Sequence, residues 1–327
     1  MSTPRQPVVD VRLSPDWAHA SLVEDVRRGL GAQPRSLPPK WLYDDRGSQL
    51  FDAITRLPEY YLTNSEREIL ATHAAAIARE SGATTLVELG SGTSEKTRLL
   101  LDAFTATGQL ERFVPVDVSE GTLRSAAQQI SAAYPGVQVE ALVGDFTRHL
   151  RHLPRGGRRM IAFLGSTIGN FYVEERSAFL GALADTLAVG DSLLLGTDLV
   201  KSADRLMAAY DDPGGVTEEF IRNSLVVLNR DLGADFDPEA FAYVPFWDGR
   251  MERMDLRLRS ELPQSVHIPG VGIDLDLAAG EEIRVEISTK FRTELIAEEL
   301  LAVGLRPARQ WTDSGSSFAL TLAIRAA

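Results

Sequence analysis

The stretch "LVELGSGTSEKT", Leu86–Thr97, decides the fold. An apolar strand runs into Glu88, and Gly90 and Gly92 then make a turn whose missing side chains let backbone come close to a ligand before a helix begins. The third glycine of the dinucleotide fingerprint is absent, with Glu95 in its place. That loss disfavours a pyrophosphate lying on the helix, and an acid two places before the first glycine suits a positively charged ligand better. Working outward, short apolar strands alternate with helical patterns: "TTLVELG", "RFVPVDV", "VQVEALVGD", "RRMIAFLGS" and "SLLLGTDLV" read as strands, while "SEKTRLLLDAFTAT", "EGTLRSAAQQISAAY" and "EERSAFLGALADTL" read as helices. The alternation predicts a parallel sheet with helices on both faces. It stops near residue 200 and resumes at "TELIAEELLAVG", a helix followed by "LRPARQWT" and "SSFALTLAIR" as a closing antiparallel hairpin.

Two more strand ends carry acids. Asp117 ends the second strand, where it can accept from ribose hydroxyls; Asp145 ends the third in "GDF", where it can accept from an exocyclic amine while Phe146 stacks on a purine. Singly, each aspartate reads equally well as a cap for the next helix. Three acids at successive strand ends around a glycine turn instead match S-adenosylmethionine, whose ribose and amino groups need acceptors and whose sulfonium carries no phosphate.

Upstream, "LPEYYLTNSE", residues 57–66, sets two tyrosines before a helix. Thr63 and Glu66 have capping-box spacing, so the expected helix starts after Thr63. A tyrosine at such an entry is usually a packing residue.

The 327 residues allow one large domain or two of moderate size. Lys and Arg number 34 against 46 Asp and Glu, a net charge of −12 that repels a nucleic-acid backbone overall. There is no cysteine, which removes disulfides, thiolate nucleophiles and cysteine-ligated zinc together. The five histidines form no H-E-x-x-H pattern, and His149 and His152 sit among arginines that repel a cation, so no metal is expected. The first residues lack an apolar leader core and no apolar run reaches membrane-spanning length, so the expectation is a cytoplasmic protein without a membrane partner, a monomer by default.

Residues 201–288 follow another grammar: a helical pattern "VTEEFIRNSLVVLNR", then alternating "RMDLRLRS" and "EEIRVEIS". The expected architecture is therefore α/β, a Rossmann-like core of residues 59–200 and 289–327, with a discontinuous α+β domain of residues 12–58 and 201–288 over the sheet's carboxyl edge, where open α/β sheets bind ligands. In "VEIS", Glu286 and Ser288 are two apart in a strand and so share a face.

The chain resembles the histidine Nα-methyltransferases of ergothioneine biosynthesis, within the S-adenosylmethionine-dependent methyltransferase superfamily. The likeness runs through "SLPPKWLYD", "LPEYY", "LVELGSGTSEKT", "FLGSTIGN", "LLLGTDLVK", "YDDPGGVT" and "AAGEE", nearly the whole length. It implies cofactor contacts from Gly90, Lys96, Asp117, Asp145 and Phe146, with Glu88 and Ser91 in the same turn. It implies that Asn170 and Tyr210 bind the carboxylate end of L-histidine, that Glu286 and Ser288 meet the imidazole, and that Tyr60 lies at the substrate with Tyr43 and Phe51 nearby. Tyr43, Tyr60 and Asn170 are the catalytic candidates; Tyr61 is left as packing. Leu256 stands where the family pattern leads one to expect methionine, a volume-conserving apolar change that bears on pocket shape. The expected reaction is trimethylation of the α-amino group to hercynine. The alternatives are an enzyme of this fold acting on another amino acid or aromatic amine, and a non-catalytic S-adenosylmethionine-binding protein.

Overall fold

A computed structural model describes residues 6–327. In chain order the elements are β1 (Val8–Val11), α1 (Trp17–Leu30), β2 (Arg35–Ser36), α2 (Asp45–Ile54), α3 (Tyr61–Ser81), β3 (Thr85–Leu89), α4 (Arg98–Ala106), β4 (Arg112–Asp117), α5 (Glu120–Ala133) and β5 (Gln138–Val143). There follow α6 (Phe146–His149), β6 (Arg159–Phe163), α7 (Val173–Thr186), β7 (Ser192–Asp198), α8 (Ala203–Tyr210), α9 (Val216–Leu232), β8 (Phe241–Asp248) and β9 (Arg253–Ser260). The last are β10 (Gln264–Ile268), β11 (Ile273–Leu277), β12 (Glu282–Thr289), α10 (Thr293–Ala302), β13 (Leu305–Thr312) and β14 (Phe318–Arg325). None of the described helices is long and apolar enough to cross a membrane.

The chain divides into two compact units. Of the described residues, the first holds 6–14, 62–199 and 291–327. Its eight-stranded sheet has the order β1-β5-β4-β3-β6-β7-β14-β13, parallel from β1 to β7 and antiparallel at β14 and β13. Strand side chains alternate between two cores. Leu86 and Phe113 face α3, α4 and α5 through Ile77, Leu101, Phe104 and Ile130, whereas Val87, Leu89, Val114 and Val116 face α7 and α10 through Leu180, Leu183, Ile296 and Leu300. From β3 the chain crosses to β4 on one side, and from β6 to β7 on the other. The crevice beyond the carboxyl ends of β3 and β6 is therefore the topological switch point, the place where such sheets hold ligands.

The second unit holds residues 15–61 and 200–290. A four-stranded sheet, β2-β12-β9-β8, is joined by a β10-β11 hairpin and by α1, α2, α8 and α9. Its first segment is pinned by buried charge: Asp25 of α1 accepts from Trp41 Nε1 at 3.0 Å and pairs with Lys40 at 2.8 Å, which accounts for the "PPKW" string. Asp44 caps α2 through Gly47 N at 2.8 Å and also accepts from Asn223 of α9 at 2.8 Å. Gly47 is required there, because a Cβ would lie 1.6 Å from the Leu42 carbonyl oxygen.

Two local expectations change. Helix α3 begins at Tyr61, not after Thr63, and Glu66 does not cap it; its carboxylate is fully buried and bound elsewhere in the first unit. Helix α4 begins at Arg98 rather than Ser94, because Ser94 takes a left-handed φ of 52° and Lys96 and Thr97 turn toward buried carboxylates.

Candidate active site

In the first unit the turns that follow β3, β4 and β5 are bonded into one rim. Gly90 N and Ser91 N donate to the Val116 carbonyl of β4 at 2.9 and 3.1 Å, Gly92 N donates to Asp117 Oδ2 at 2.9 Å, and Gly144 N donates to the Asp117 carbonyl at 2.9 Å. Asp117 Oδ1 accepts from Ser119 N at 2.9 Å, so this aspartate shapes the turn as well as facing it. Asp145 caps α6 through Thr147 N at 2.8 Å, and a Cβ on Gly90 would lie 3.6 Å from Phe146 Cε1, so the Phe146 ring borders the turn. Phe146 is held edge-on against Phe163 and Phe179 at 5.3 and 5.9 Å.

Behind the rim lie two buried carboxylates. Glu88 accepts from Ser94 Oγ at 2.9 Å and from Thr97 Oγ1. Burial pushes its carboxyl up to about 7, against the pull of those hydroxyls and of the Lys96 charge. Glu66 accepts from Gly165 N at 2.7 Å and pairs with Lys96. One lysine is thus steered by a helix distant in sequence, toward the loop after β6. That loop is fixed by Ser166 Oγ, which accepts from Asp198 N at 2.9 Å, and it ends in the single 3-10 turn Thr167–Asn170. Asn170 therefore belongs to the first unit.

The other substrate candidates lie in the second unit. Tyr43, Phe51, Tyr60, Tyr210, Leu256 and Glu286 line one cavity, together with Ile54, Thr217 and Phe220. Tyr43 meets Phe51 and Phe220 edge-on, each at 5.3 Å; Phe51 meets Tyr60 at 6.3 Å, and Tyr60 meets Tyr210 at 6.2 Å. Cross-strand register sets Leu256 of β9 beside Glu286 of β12, just past a bulge between Arg284 and Glu286. Ser288 Oγ lies 2.9 Å from Tyr210 Oη. The cavity volume is about 20 Å³, room for a water molecule.

Although 38% of Tyr43 is in contact with solvent, burial and then the charge of Glu286 push its phenol well above the ordinary value. With that exposure, the direction rests chiefly on the neighbouring carboxylate. Burial and the same carboxylate raise Tyr243, whose hydroxyl donates to the Tyr210 carbonyl at 2.6 Å.

Thr217 and Phe220 were not singled out in the sequence. They sit on the apolar face of α9 with Ile221, Leu225 and Leu228, and a cavity wall on such a face has the same pattern as core. The "YDDPGGVT" string aims that face: Asp212 accepts from Val216 N and Thr217 N at 3.0 and 2.8 Å and so starts α9. Tyr61, read as packing, is buried, and its hydroxyl accepts from Lys201 at 2.7 Å.

A family model described as "Histidine-specific methyltransferase, SAM-dependent" matches residues 22–325. The chain belongs to that family. A protein of Mycolicibacterium smegmatis named histidine N-alpha-methyltransferase is 54% identical over 313 residues, 96% of this chain and 98% of that one. Its namesake in Mycobacterium tuberculosis is 53% identical over the same shares of both chains. Ergothioneine biosynthesis protein 1 of Schizosaccharomyces pombe is 37% identical over 224 residues, 65% of this chain and 29% of that larger protein.

Members of this histidine-specific methyltransferase family use S-adenosylmethionine. The residues of the first unit fit it. Ser91 Oγ is buried at the turn with no hydrogen-bond partner, as expected of an atom that a ligand satisfies. A Cβ on Gly92 would meet nothing within 4 Å, so the turn opens on space.

Proposed function

We propose that this chain methylates the α-amino nitrogen of L-histidine with S-adenosylmethionine, repeating the transfer to the trimethyl betaine hercynine, the first step of ergothioneine biosynthesis. The reading is carried by the second unit's cavity, walled by aromatic rings around one carboxylate, in a chain similar end to end to proteins named histidine N-alpha-methyltransferase. Bound S-adenosylmethionine supplies an electrophilic methyl carbon on a sulfonium.

The chain's own residues bind and orient. Asp117 accepts from the ribose, Asp145 from the adenine amine, and Phe146 stacks on the ring, while Glu88, Gly90 and Ser91 form the turn and Lys96 meets the carboxylate of the methionine part. For the substrate, the second unit's Tyr60 and Tyr210 hold the amino-acid end, and Glu286 and Ser288 engage the imidazole N–H, with Leu256 and Phe51 packing beside it. Only an amine with a free lone pair attacks, so positioning of the neutral amine is the main catalytic task. The raised Tyr43 phenol stays protonated at neutral pH, which makes it a hydrogen-bond donor. A trimethylammonium product cannot donate hydrogen bonds, and the faces of Tyr43, Phe51 and Tyr60 suit its charge.

The proposal includes action in the cytoplasm as a monomer on a free amino acid, without nucleic acid or membrane; the net charge of −12 supports the exclusion of nucleic acid. Mass spectrometry of L-histidine incubated with the protein and S-adenosylmethionine should find the mono-, di- and trimethylated species in succession. Methylation of a different amino acid with L-histidine untouched would replace this reading with that of a related methyltransferase.

A further inference from the structure

The third acidic strand end of the first unit is held from behind by a histidine. His149 closes the short helix α6, one turn after Asp145, and its ring folds back over the turn that follows β5. A Cβ on Gly144 would lie 3.3 Å from His149 Cβ and 3.6 Å from its Nδ1, so the glycine of "GDF" leaves room for that ring. His149 Nδ1 lies 3.1 Å from Asp145 N and 3.0 Å from the Asp145 carbonyl oxygen.

Counting donors and acceptors assigns the ring's proton. The Asp145 carbonyl already accepts from Arg148 N and His149 N at 3.0 and 2.8 Å, which fills both of its lone pairs. The Asp145 N–H, by contrast, has Nδ1 as its one acceptor among the described residues. Nδ1 therefore accepts, and the neutral ring carries its proton on Nε2. On the side chain, Asp145 Oδ1 accepts from Thr147 N and from Thr147 Oγ1 at 2.8 and 2.6 Å. His149 thus fixes the backbone and Thr147 the rotation of the carboxylate, with Oδ2 as the oxygen that turns to a ligand. Asp145 is only 7% exposed, so an N–H that lost its acceptor here would find little water, and the turn would have to move to satisfy it.

We infer that His149 is a positioning residue for the cofactor's purine: through Asp145 it sets the acceptor that distinguishes a 6-amino purine from a 6-oxo purine. The inference rests on the reading above, in which Asp145 accepts from the adenine amine. His149→Phe keeps a ring and removes the acceptor, whereas His149→Asn can place its side-chain oxygen near the position of Nδ1.

The test is calorimetry with S-adenosylhomocysteine and S-inosylhomocysteine, whose purines carry an amino group and a carbonyl oxygen at the same position. The intact protein should prefer the adenosyl compound by at least about ten-fold. In His149→Phe that preference should shrink by at least about five-fold, and His149→Asn should restore most of it. A merely structural role would weaken both compounds alike, and an unmoved ratio overturns the proposal. Asp145→Asn separates the two readings. Its side-chain oxygen must stay with the Thr147 donors, so its amide nitrogen takes the place of Oδ2 and favours the inosyl compound. If Asp145→Asn changes the ratio and His149→Phe does not, Asp145 keeps its role and His149 loses its own; if neither changes it, both fall. Should His149→Phe fail to fold, nitrogen NMR of the intact protein decides. The ring proton must sit on Nε2, and the Nδ1 shift must move more with the adenosyl than with the inosyl compound; a proton on Nδ1, or equal shifts, overturns the proposal.

Discussion

Gly196 sits in the middle of β7, where a glycine usually marks the close approach of another group. Here that group is Glu66. A Cβ at position 196 would lie 2.5 Å from Glu66 Oε1 and 3.3 Å from Cε1 and Cζ of Phe318. The end of a glutamate normally swings away cheaply, but both oxygens of this one are engaged, by Gly165 N and by Lys96. Phe318 is fully buried and cannot yield either. Gly196→Ala therefore forces Glu66 off the Gly165 N–H, stranding a buried donor, and crowds the ring. Together these effects should cost about 2–5 kcal/mol. Urea unfolding should show the midpoint falling accordingly, and calorimetry should show weaker cofactor binding as Lys96 loses its anchor. A double-mutant cycle isolates the cause. Glu66→Ala is itself destabilising, but in that background Gly196→Ala should cost less than about 1 kcal/mol, because alanine also restricts the unfolded chain. An equal cost in both backgrounds would show that the Glu66 contact is not what keeps position 196 a glycine.

Three further outcomes are expected. Without cofactor, folded Glu88 holds its proton to about pH 7 against an ordinary 4.5, so between those values the folded state binds the extra proton and stability falls as pH rises. The decline is at most about 3 kcal/mol, and Glu88→Gln should flatten it; parallel slopes in urea melts at pH 5 and pH 7.5 would remove Glu88 as the source. Asp117→Ala should weaken S-adenosylmethionine binding by about ten- to a hundred-fold and, because Gly92 N and Ser119 N lose their acceptor, also lower the melting temperature; unchanged calorimetry would take Asp117 out of the site. Glu286→Ala should reduce kcat/KM for L-histidine by at least about ten-fold while an amino acid with an apolar aromatic ring loses less. Equal losses for the two would mean that the carboxylate does not read the imidazole.

The core was legible because its signals are local. A strand, a glycine turn and a helix follow one another in Leu86–Thr97, and each acidic strand end lies beside its own turn. The closing hairpin, read from two alternating stretches, forms as β13 and β14. What lay hidden depends on partners far along the chain. Glu66 fits a capping box by spacing, and only the fold brings Gly165 and Lys96 to it, 99 and 30 residues away. Strand β1 is four residues of ordinary alternation whose pairing with β5 lies more than a hundred residues ahead. Strand β8 carries Pro245 and an unalternating aromatic run, which hides it from a period-two reading. Tyr43, Phe51 and Glu286 entered through resemblance to a known family, since a ring at a helix entry and a strand carboxylate have no local mark of a pocket.

The strand order β7-β14-β13 has a consequence for how the protein is made. Strand β14 is synthesised after both of its neighbours, yet it lies between them. Until residue 325 has left the ribosome, β7 presents an unpaired edge and the interior of the sheet cannot close. In the second unit, β2 waits in the same way for β12, some 250 residues later. Both units thus depend on pairings of long sequence separation, which form slowly. Assembly is therefore delayed until nearly all of the chain is available, and an arrested nascent chain should expose a sticky apolar edge that calls for a chaperone.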